Sequence, residues 1–195
     1  MSFLDRIAAA VAPAATDEQR AEARLKVEQM SSSDEWLAII VKQHKQIESL
    51  VHEGLNAQGA EAQAQAVRDL GWVLTGHSMA EEAVLYPEIS EHSSKTDAGM
   101  AYEEHAMTKV QLAKLEKLDP LSQNWREKLA HIQSALQQHM YQEEGTWLPH
   151  LAEKSPAGEK SRMTQRFVDE FERYCGSGTA QLRAGFASPS VGGAA

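Results

Sequence analysis

His77-Ser-Met-Ala-Glu81-Glu82 and, sixty-two residues later, His139-Met-Tyr-Gln-Glu143-Glu144 form one pattern that occurs twice. Residues four apart in a helix share a face. Each stretch therefore aims one imidazole and one carboxylate at the same place. Those donors suit iron, manganese or zinc. The echo continues past them: Pro87 and Pro149 each follow their histidine by ten residues. His44 and His105 form a further pair sixty-one residues apart. The chain thus reads as two similar helical hairpins, one with His44 and His77/Glu81, the other with His105 and His139/Glu143.

The helices can be placed around these residues by apolar spacing. Helix one is expected over 34–53, with Leu37, Ile40, Val41, Ile47, Leu50 and Val51 at steps of three and four. Helix two covers 61–91 and helix four 121–152, each kinked at its proline, which removes a backbone bond and crowds the preceding turn. Helix three covers 98–118, with Tyr102, His105, Met107, Val110, Leu112 and Leu115 expected on its inner side. No segment reads as a strand. The fold class is all-α: an up-down-up-down four-helix bundle over 34–153, with an accessory helix over 17–30 and a short helix over 158–174. Residues 1–33 form a leader plus the accessory helix, 154–175 the C-terminal segment, and 176–195 a small-residue tail expected to be disordered.

The level of the sites tests this layout. In an up-down bundle whose polar residues meet at one height, each turn lies midway between its flanking sites. The midpoints fall near 61, 92 and 123. The turn signals at Gly54–Gly59, His92–Asp97 and Asp119–Ser122 lie within a few residues of them. His44, His77, Glu81, His105, His139 and Glu143 should therefore converge inside the bundle. A buried carboxylate is unfavourable unless paired or bound to a metal. Two bridging carboxylates with two imidazoles per ion satisfy every group; the alternative is a metal-free His–Glu network. Glu82 and Glu144, about 100° away around the helix, belong outside that ring. His52, His92, His131 and His150 are assigned to the surface or to packing.

The balance of 19 basic and 28 acidic residues gives a net charge of −9. That works against nucleic-acid or anionic-membrane partners. One cysteine, Cys175, excludes an internal disulfide and fits a reducing, cytoplasmic setting. The alanine-rich N-terminus, with Asp5, Arg6 and Pro13, lacks the features of an export signal. No glycine-rich phosphate loop or nucleophile elbow is present, and no histidine has a glutamate three residues before it.

The set His44, His77-x-x-x-Glu81, His105, His139-x-x-x-Glu143, with the tails Leu85-Tyr-Pro87 and Leu148-Pro149, resembles the hemerythrin-like (HHE cation-binding) family. The resemblance implies a non-haem, oxo- or hydroxo-bridged diiron centre, with zinc or manganese as substitutes. His44 and His77 would hold one iron, His105 and His139 the other, and Glu81 and Glu143 would bridge them. It further implies a small diatomic or peroxide ligand: dioxygen, peroxide or nitric oxide, bound or reacted in oxidative stress response, sensing or iron handling. The alternative it leaves is a diiron enzyme that decomposes peroxide or reduces nitric oxide. Dioxygen-carrying members have a histidine where this chain has Lys109, and an aspartate five residues after the last histidine, where Glu144 stands. Lys109 is expected to share the His105 face, leaving the nearby iron one open position.

Overall fold

Each long helix of this chain is apolar at both ends of its inner face and polar in the middle, and that pattern sets the architecture. The computed structural model describes residues 14–175. Helix α1 spans Asp17–Met30, α2 Glu35–Asn56, α3 Ala60–Ala80, α4 Tyr86–His92, α5 Lys95–Leu115, α6 Gln123–Gln142, α7 Leu148–Lys154 and α8 Ala157–Cys175. No strand occurs among the described residues. Short connections force neighbouring helices to run antiparallel. The bundle consists of α2, α3 continued by α4, α5, and α6 continued by α7. Residues 1–13 and the expected disordered tail, 176–195, lie outside the described residues.

The core is two clusters with a polar layer between them. One gathers Trp36, Leu37, Ile40, Val84, Leu85, Tyr86, Ile89, Trp147, Leu148 and Leu151. The other gathers Ile47, Val51, Leu70, Val73, Leu115, Trp125, Leu129, Ile132 and Met140. On α2 the change from one cluster to the other falls between Val41 and Ile47, across His44. On α5 it falls between Ala101 and Leu112, across His105. On α3 it falls between Leu74 and Ala80, across His77, and beyond α6 between Met140 and Trp147, with His139 at its edge and Glu143 within it. Four helices thus place four histidines at one level.

The expected single helices two and four are each interrupted from their paired glutamate, Glu81 or Glu143, onward. A five-residue π-helical turn, Glu81–Leu85, joins α3 to α4, and a second, Glu143–Trp147, joins α6 to α7. In these turns the Tyr86 N–H donates to Glu81 O and the Leu148 N–H to Glu143 O, five residues back. The prolines account for the position. Pro87 has no N–H to continue the ladder. Two carbonyls of the preceding turn find other donors: Tyr102 Oη donates to Glu82 O at 2.7 Å and Arg166 Nη2 to Ala83 O at 3.2 Å.

The flanking helices cover the two π turns. Helix α1 begins with a reciprocal cap between Thr16 and Gln19 and packs on the second π turn and α2. Helix α8 buries Met163, Phe167, Phe171 and Cys175 against α3 and the first π turn. Its close approach depends on Gly76: a Cβ there would lie 2.3 Å from Cys175 Sγ. Gly59, with φ +92°, opens α3 in a conformation that L side chains rarely adopt.

Helix α5 corrects the expectation for helix three. Ala98, Ala101, His105, Leu112 and Leu115 face inward, while Tyr102, Met107 and Val110 are exposed. Its inner stripe is narrow because α5 packs chiefly against α4 and α6. Among the described residues no helix is long and apolar enough to cross a membrane.

Candidate metal centre

Six side chains converge in the polar layer. His44, His77, Glu81, His105, His139 and Glu143 are all buried. Glu81 Oε2 lies 3.2 Å from His77 Nε2 and 3.4 Å from His105 Nε2. Glu143 reaches in two directions, Oε2 to His44 Nε2 at 3.2 Å and Oε1 to His139 Nε2 at 3.5 Å. Both carboxylates therefore stand between a histidine of one half and a histidine of the other. The ligand atoms of His44, His77, Glu81 and Glu143 lie within 4.8 Å of one another, as do those of Glu81, His105 and His139. Each group could hold a metal ion, and the two share Glu81.

Each imidazole is held from outside by its other nitrogen. His44 Nδ1 meets Glu144 Oε1 at 2.7 Å, His105 Nδ1 meets Glu82 Oε1 at 3.0 Å, and His139 Nδ1 meets Glu104 Oε2 at 2.8 Å. His77 Nδ1 meets Gln43 Oε1 at 2.8 Å. An ionised carboxylate only accepts, so the proton of each ring belongs on Nδ1 and the Nε2 lone pair points inward. This is the arrangement that orients histidine as a metal ligand. Arg24 Nε reaches both oxygens of Glu144 at 2.7 Å, and Lys109 Nζ donates to Glu82 Oε1 at 2.8 Å.

These donors fit a pair of cations. With both rings protonated at Nδ1, His105 Nε2 and His139 Nε2 face one another as lone pairs 3.1 Å apart, which needs a positive charge between them. His44 Nε2, Glu81 Oε1 and Glu143 Oε2 are buried with no hydrogen-bond partner. Atoms about 2.1 Å from one ion stand roughly 3.0–3.4 Å apart in octahedral or tetrahedral geometry, close to the spacings found. The mixture of imidazole and carboxylate donors suits iron, zinc or manganese.

The proton balance points the same way. Burial disfavours charge at His44, yet Glu143 and Glu144 outweigh it and push its pKa up to about 10. Burial likewise opposes charge at His105, and Glu81 and Glu82 push it up to about 9. His77 is held well below the ordinary range by burial and by the neighbouring His44. Burial and the Glu143 charge raise Glu81. For Glu143 burial alone would do the same, but His139 and His44 hold it well below the usual carboxylate range. The centre draws in positive charge, and protons take that role when no metal does.

One residue at the centre departs from the helical spacing used above. Tyr86 Oη lies 2.9 Å from His105 Nε2 and 3.5 Å from His139 Nε2, and it donates to Glu143 Oε1 at 3.1 Å and Glu81 Oε2 at 3.4 Å. In an α-helix a residue five after Glu81 leaves that face. The π turn adds a residue per turn and brings Tyr86 back toward it. Pro87 and its echo Pro149 are the sequence signal for this. Tyr102, expected on the inner side of helix three, is exposed and donates to Glu82 O. Gln43 and Glu104 immediately precede His44 and His105, and each reaches across to the histidine of the next helix.

Lys109 does lie on the His105 side. It helps line a cavity of about 40 Å³ that also touches His77, His105 and His139, but its amine turns outward to Glu82. His52, His131 and His150 are exposed. His92 lies 3.3 Å from Glu88 and 3.5 Å from Glu159, in a partly exposed cluster between α4 and α8. Burial pushes the Cys175 thiol up to about 11, consistent with a packing role.

Residues 37–151 match the sequence model of the hemerythrin HHE cation binding domain. The chain is 25% identical over 131 residues to an uncharacterized hemerythrin-like protein of Schizosaccharomyces pombe, covering 66% of this chain and 64% of that one. It is 25% identical over 99 residues to a DNA nickase of Nostoc sp., covering 51% of this chain and 27% of that one. The chain thus spans less than two thirds of either relative's length. No solved structure matches.

Proposed function

Because the chain belongs to the hemerythrin HHE cation-binding family, we propose that its buried centre holds two iron ions and binds or reacts with dioxygen, peroxide or nitric oxide. It is a metal-binding hemerythrin-like protein; the dinuclear iron and the ligand are our reading. The observation that carries it is the shared position of Glu81 and Glu143 between the two histidine pairs. A mononuclear site would leave one pair of buried imidazoles and half of each carboxylate without a cation.

The cavity beside His77, His105 and His139 supports a small ligand. Its volume of about 40 Å³ holds a few water-sized groups, so diatomic molecules and peroxide fit and larger organic substrates do not. Two irons bound here would supply electrons and an exchangeable coordination position. His44, His77, His105 and His139 would hold them, with Glu81 and Glu143 between. Glu144, Glu82, Glu104 and Gln43 keep the ring protons on Nδ1. Tyr86 keeps its own proton: burial, with Glu143 and Glu81 beside it, raises its pKa well above the ordinary phenol range. It therefore acts as a hydrogen-bond donor at the edge of the centre. Lys109 does not enter the ring of donors, so the histidine that dioxygen carriers have there is not replaced by another ligand.

Tyr86 also favours the enzymatic alternative. A hydrogen-bond donor within 3.5 Å of two of the imidazole nitrogens would orient a bound peroxide, which suits disproportionation of two peroxide molecules to dioxygen and water, a reaction that needs no outside reductant. The net charge of −9 works against nucleic acid, so we read the nickase likeness as a shared domain without a shared substrate. The setting we propose is cytoplasmic, in oxidative stress response, sensing or iron handling. The test is anaerobic reconstitution with ferrous iron, metal analysis, and optical spectra before and after air, peroxide and nitric oxide. We expect two irons per chain and spectral changes with at least one ligand. One iron, or an inert spectrum, would overturn the reading, and catalytic loss of peroxide would favour the enzyme.

A further inference from the structure

The echo relates Gln43 to Glu104 and His44 to His105 at sixty-one residues, and His77 to His139, Glu82 to Glu144 and Tyr86 to Leu148 at sixty-two. The outer contacts obey it. Glu82 holds His105 as Glu144 holds His44, and Glu104 holds His139 as Gln43 holds His77. Each position has two imidazoles; His44 and His77 cluster with both Glu81 and Glu143, and His105 and His139 with Glu81, while Glu143 Oε1 stands 3.5 Å from His139 Nε2, so ligand count does not set the His105/His139 position ahead. The echo breaks at Gln43 and at Tyr86, and the first break sets the two positions apart in donor strength.

The first break is Gln43. Three imidazoles give their Nδ1 proton to a carboxylate; His77 alone gives it to a neutral amide. A carboxylate partner makes the ring a stronger donor and adds negative charge behind it, and such partners commonly alter metal affinity by about 10–100-fold. Glu104 is moreover the partner carboxylate that no cation offsets among the described residues, whereas Glu82 pairs with Lys109 and Glu144 with Arg24. Glu48 also approaches Arg24, but one layer further from the imidazole. The second break is Tyr86. Its hydroxyl touches His105, His139 and the oxygens of Glu81 and Glu143 next to them. Leu148, at the matching place in the other half, offers no donor atom.

We propose that the two ion positions are unequal by construction: the His105/His139 position fills first and holds its ion tightest, and the His44/His77 position is the exchangeable one, with Gln43 as the residue that weakens it. This rests on the dinuclear reading. Gln43 acts through His77, so it is a positioning residue.

The experiment is an anaerobic titration of metal-free protein with Co²⁺ against a competing chelator. Spectra of ¹⁵N-histidine-labelled protein locate the ion by its paramagnetic shifts. The wild type should bind two ions in separate steps, about 10–100-fold apart. His105 and His139 signals should move with the first equivalent, and His44 and His77 signals with the second. Gln43→Glu should tighten the second step and narrow the gap. Glu104→Gln should weaken the first step and narrow it from the other side. Glu104 is partly exposed, so its variant remains informative if the buried Gln43 change impairs folding. Two ions binding in one step, the reverse order, or a gap that neither variant moves would overturn the inference alone. A single ion at saturation would overturn the dinuclear reading and the inference with it.

Discussion

The first half of the bundle, α2 through α4, and the second, α5 through α7, carry the same device: a histidine, a His-x-x-x-Glu-Glu, a π turn and a proline. Even their coverings correspond, since α8 packs over the first π turn and α1 over the second. Yet the coverings attach differently. Helix α8 comes down on bare backbone at Gly76, whereas α1 reaches Glu144 through the Arg24 guanidinium. Gly76 corresponds to Gln138 and Tyr86 to Leu148. The parts that must meet at the centre repeat. Tyr86 and the parts that face the surroundings do not, because nothing requires the two sides of the centre to see the same protein.

The largest expected effect tests the symmetry itself. Glu81 and Glu143 occupy matched positions between the histidine pairs, so Glu81→Ala and Glu143→Ala should each abolish binding of both ions, read by metal analysis after reconstitution. Glu82→Ala and Glu144→Ala remove only the outer hold on one imidazole and should weaken binding by about 10–100-fold. If Glu81→Ala kept one ion while Glu143→Ala kept none, the carboxylates would not be equivalent bridges.

Next comes the metal's contribution to folding. A ligand that binds only the folded chain adds about 4 kcal/mol at a thousandfold excess over its dissociation constant. This difference should grow with pH. His44 and His105 are raised from 6.5 to about 10 and about 9. Their protonation therefore stabilises the metal-free fold fully below pH 6.5, and that stabilisation disappears as pH rises through 9 and 10. The loaded protein, whose imidazoles are neutral ligands, does not lose it. Melting temperatures of both forms at pH 6.5, 8 and 9.5 should diverge; convergence would contradict the assignment.

The legible part of this molecule was the part written twice. A single His44 among Val41 and Ile47 could be an ordinary core histidine; its echo at His105 and the turn midpoints gave all six inner residues and the bundle. Tyr86 was hidden because α-helical arithmetic places it off the face, and only the π turn returns it. Gln43 and Glu104 were hidden because they serve the neighbouring helix, which spacing along one helix cannot reveal. Met107 and Val110 have core spacing yet lie exposed, because the neighbours of α5 cover only a narrow strip of it.

The two outer cations give a smaller contrast. Arg24 is mostly buried and grips Glu144, which is 2% exposed. Arg24→Met leaves that carboxylate facing His44 alone and should destabilise the fold by about 3 kcal/mol. Lys109 is 45% exposed, so Lys109→Met should change stability by less than about 1 kcal/mol. Denaturant midpoints of the two variants provide the check. Similar losses would mean that α1 contributes no more to the second half than one surface pair does to the first.

The smallest effect concerns how α8 is seated. A Cβ on residue 76 would meet Cys175 Sγ at 2.3 Å and Phe171 at 3.0 Å. Neither atom is free to retreat, since Phe171 and Cys175 are buried and α8 is fixed further along by Phe167 and by Arg166 on Ala83 O. Gly76→Ala must therefore shift α8, and overpacking of this kind destabilises by about 1–3 kcal/mol. The intrinsic preference of alanine over glycine in a helix, about 1 kcal/mol, acts in the opposite direction, so the net loss belongs near the lower end. Gln138→Ala, at the matching place in the second half, meets no such wall and loses only the hydrogen bond from Ala15 N–H to Gln138 Oε1 at 3.2 Å, about 1 kcal/mol. Cys175→Ala in the Gly76→Ala background removes the nearer obstacle and leaves Phe171, so it should restore part of the loss and no more. Thermal melts of the three variants decide it. If Gly76→Ala stabilised the protein, the propensity gain would outweigh the contact, and α8 would be a loosely held cover where the packing describes a fixed one.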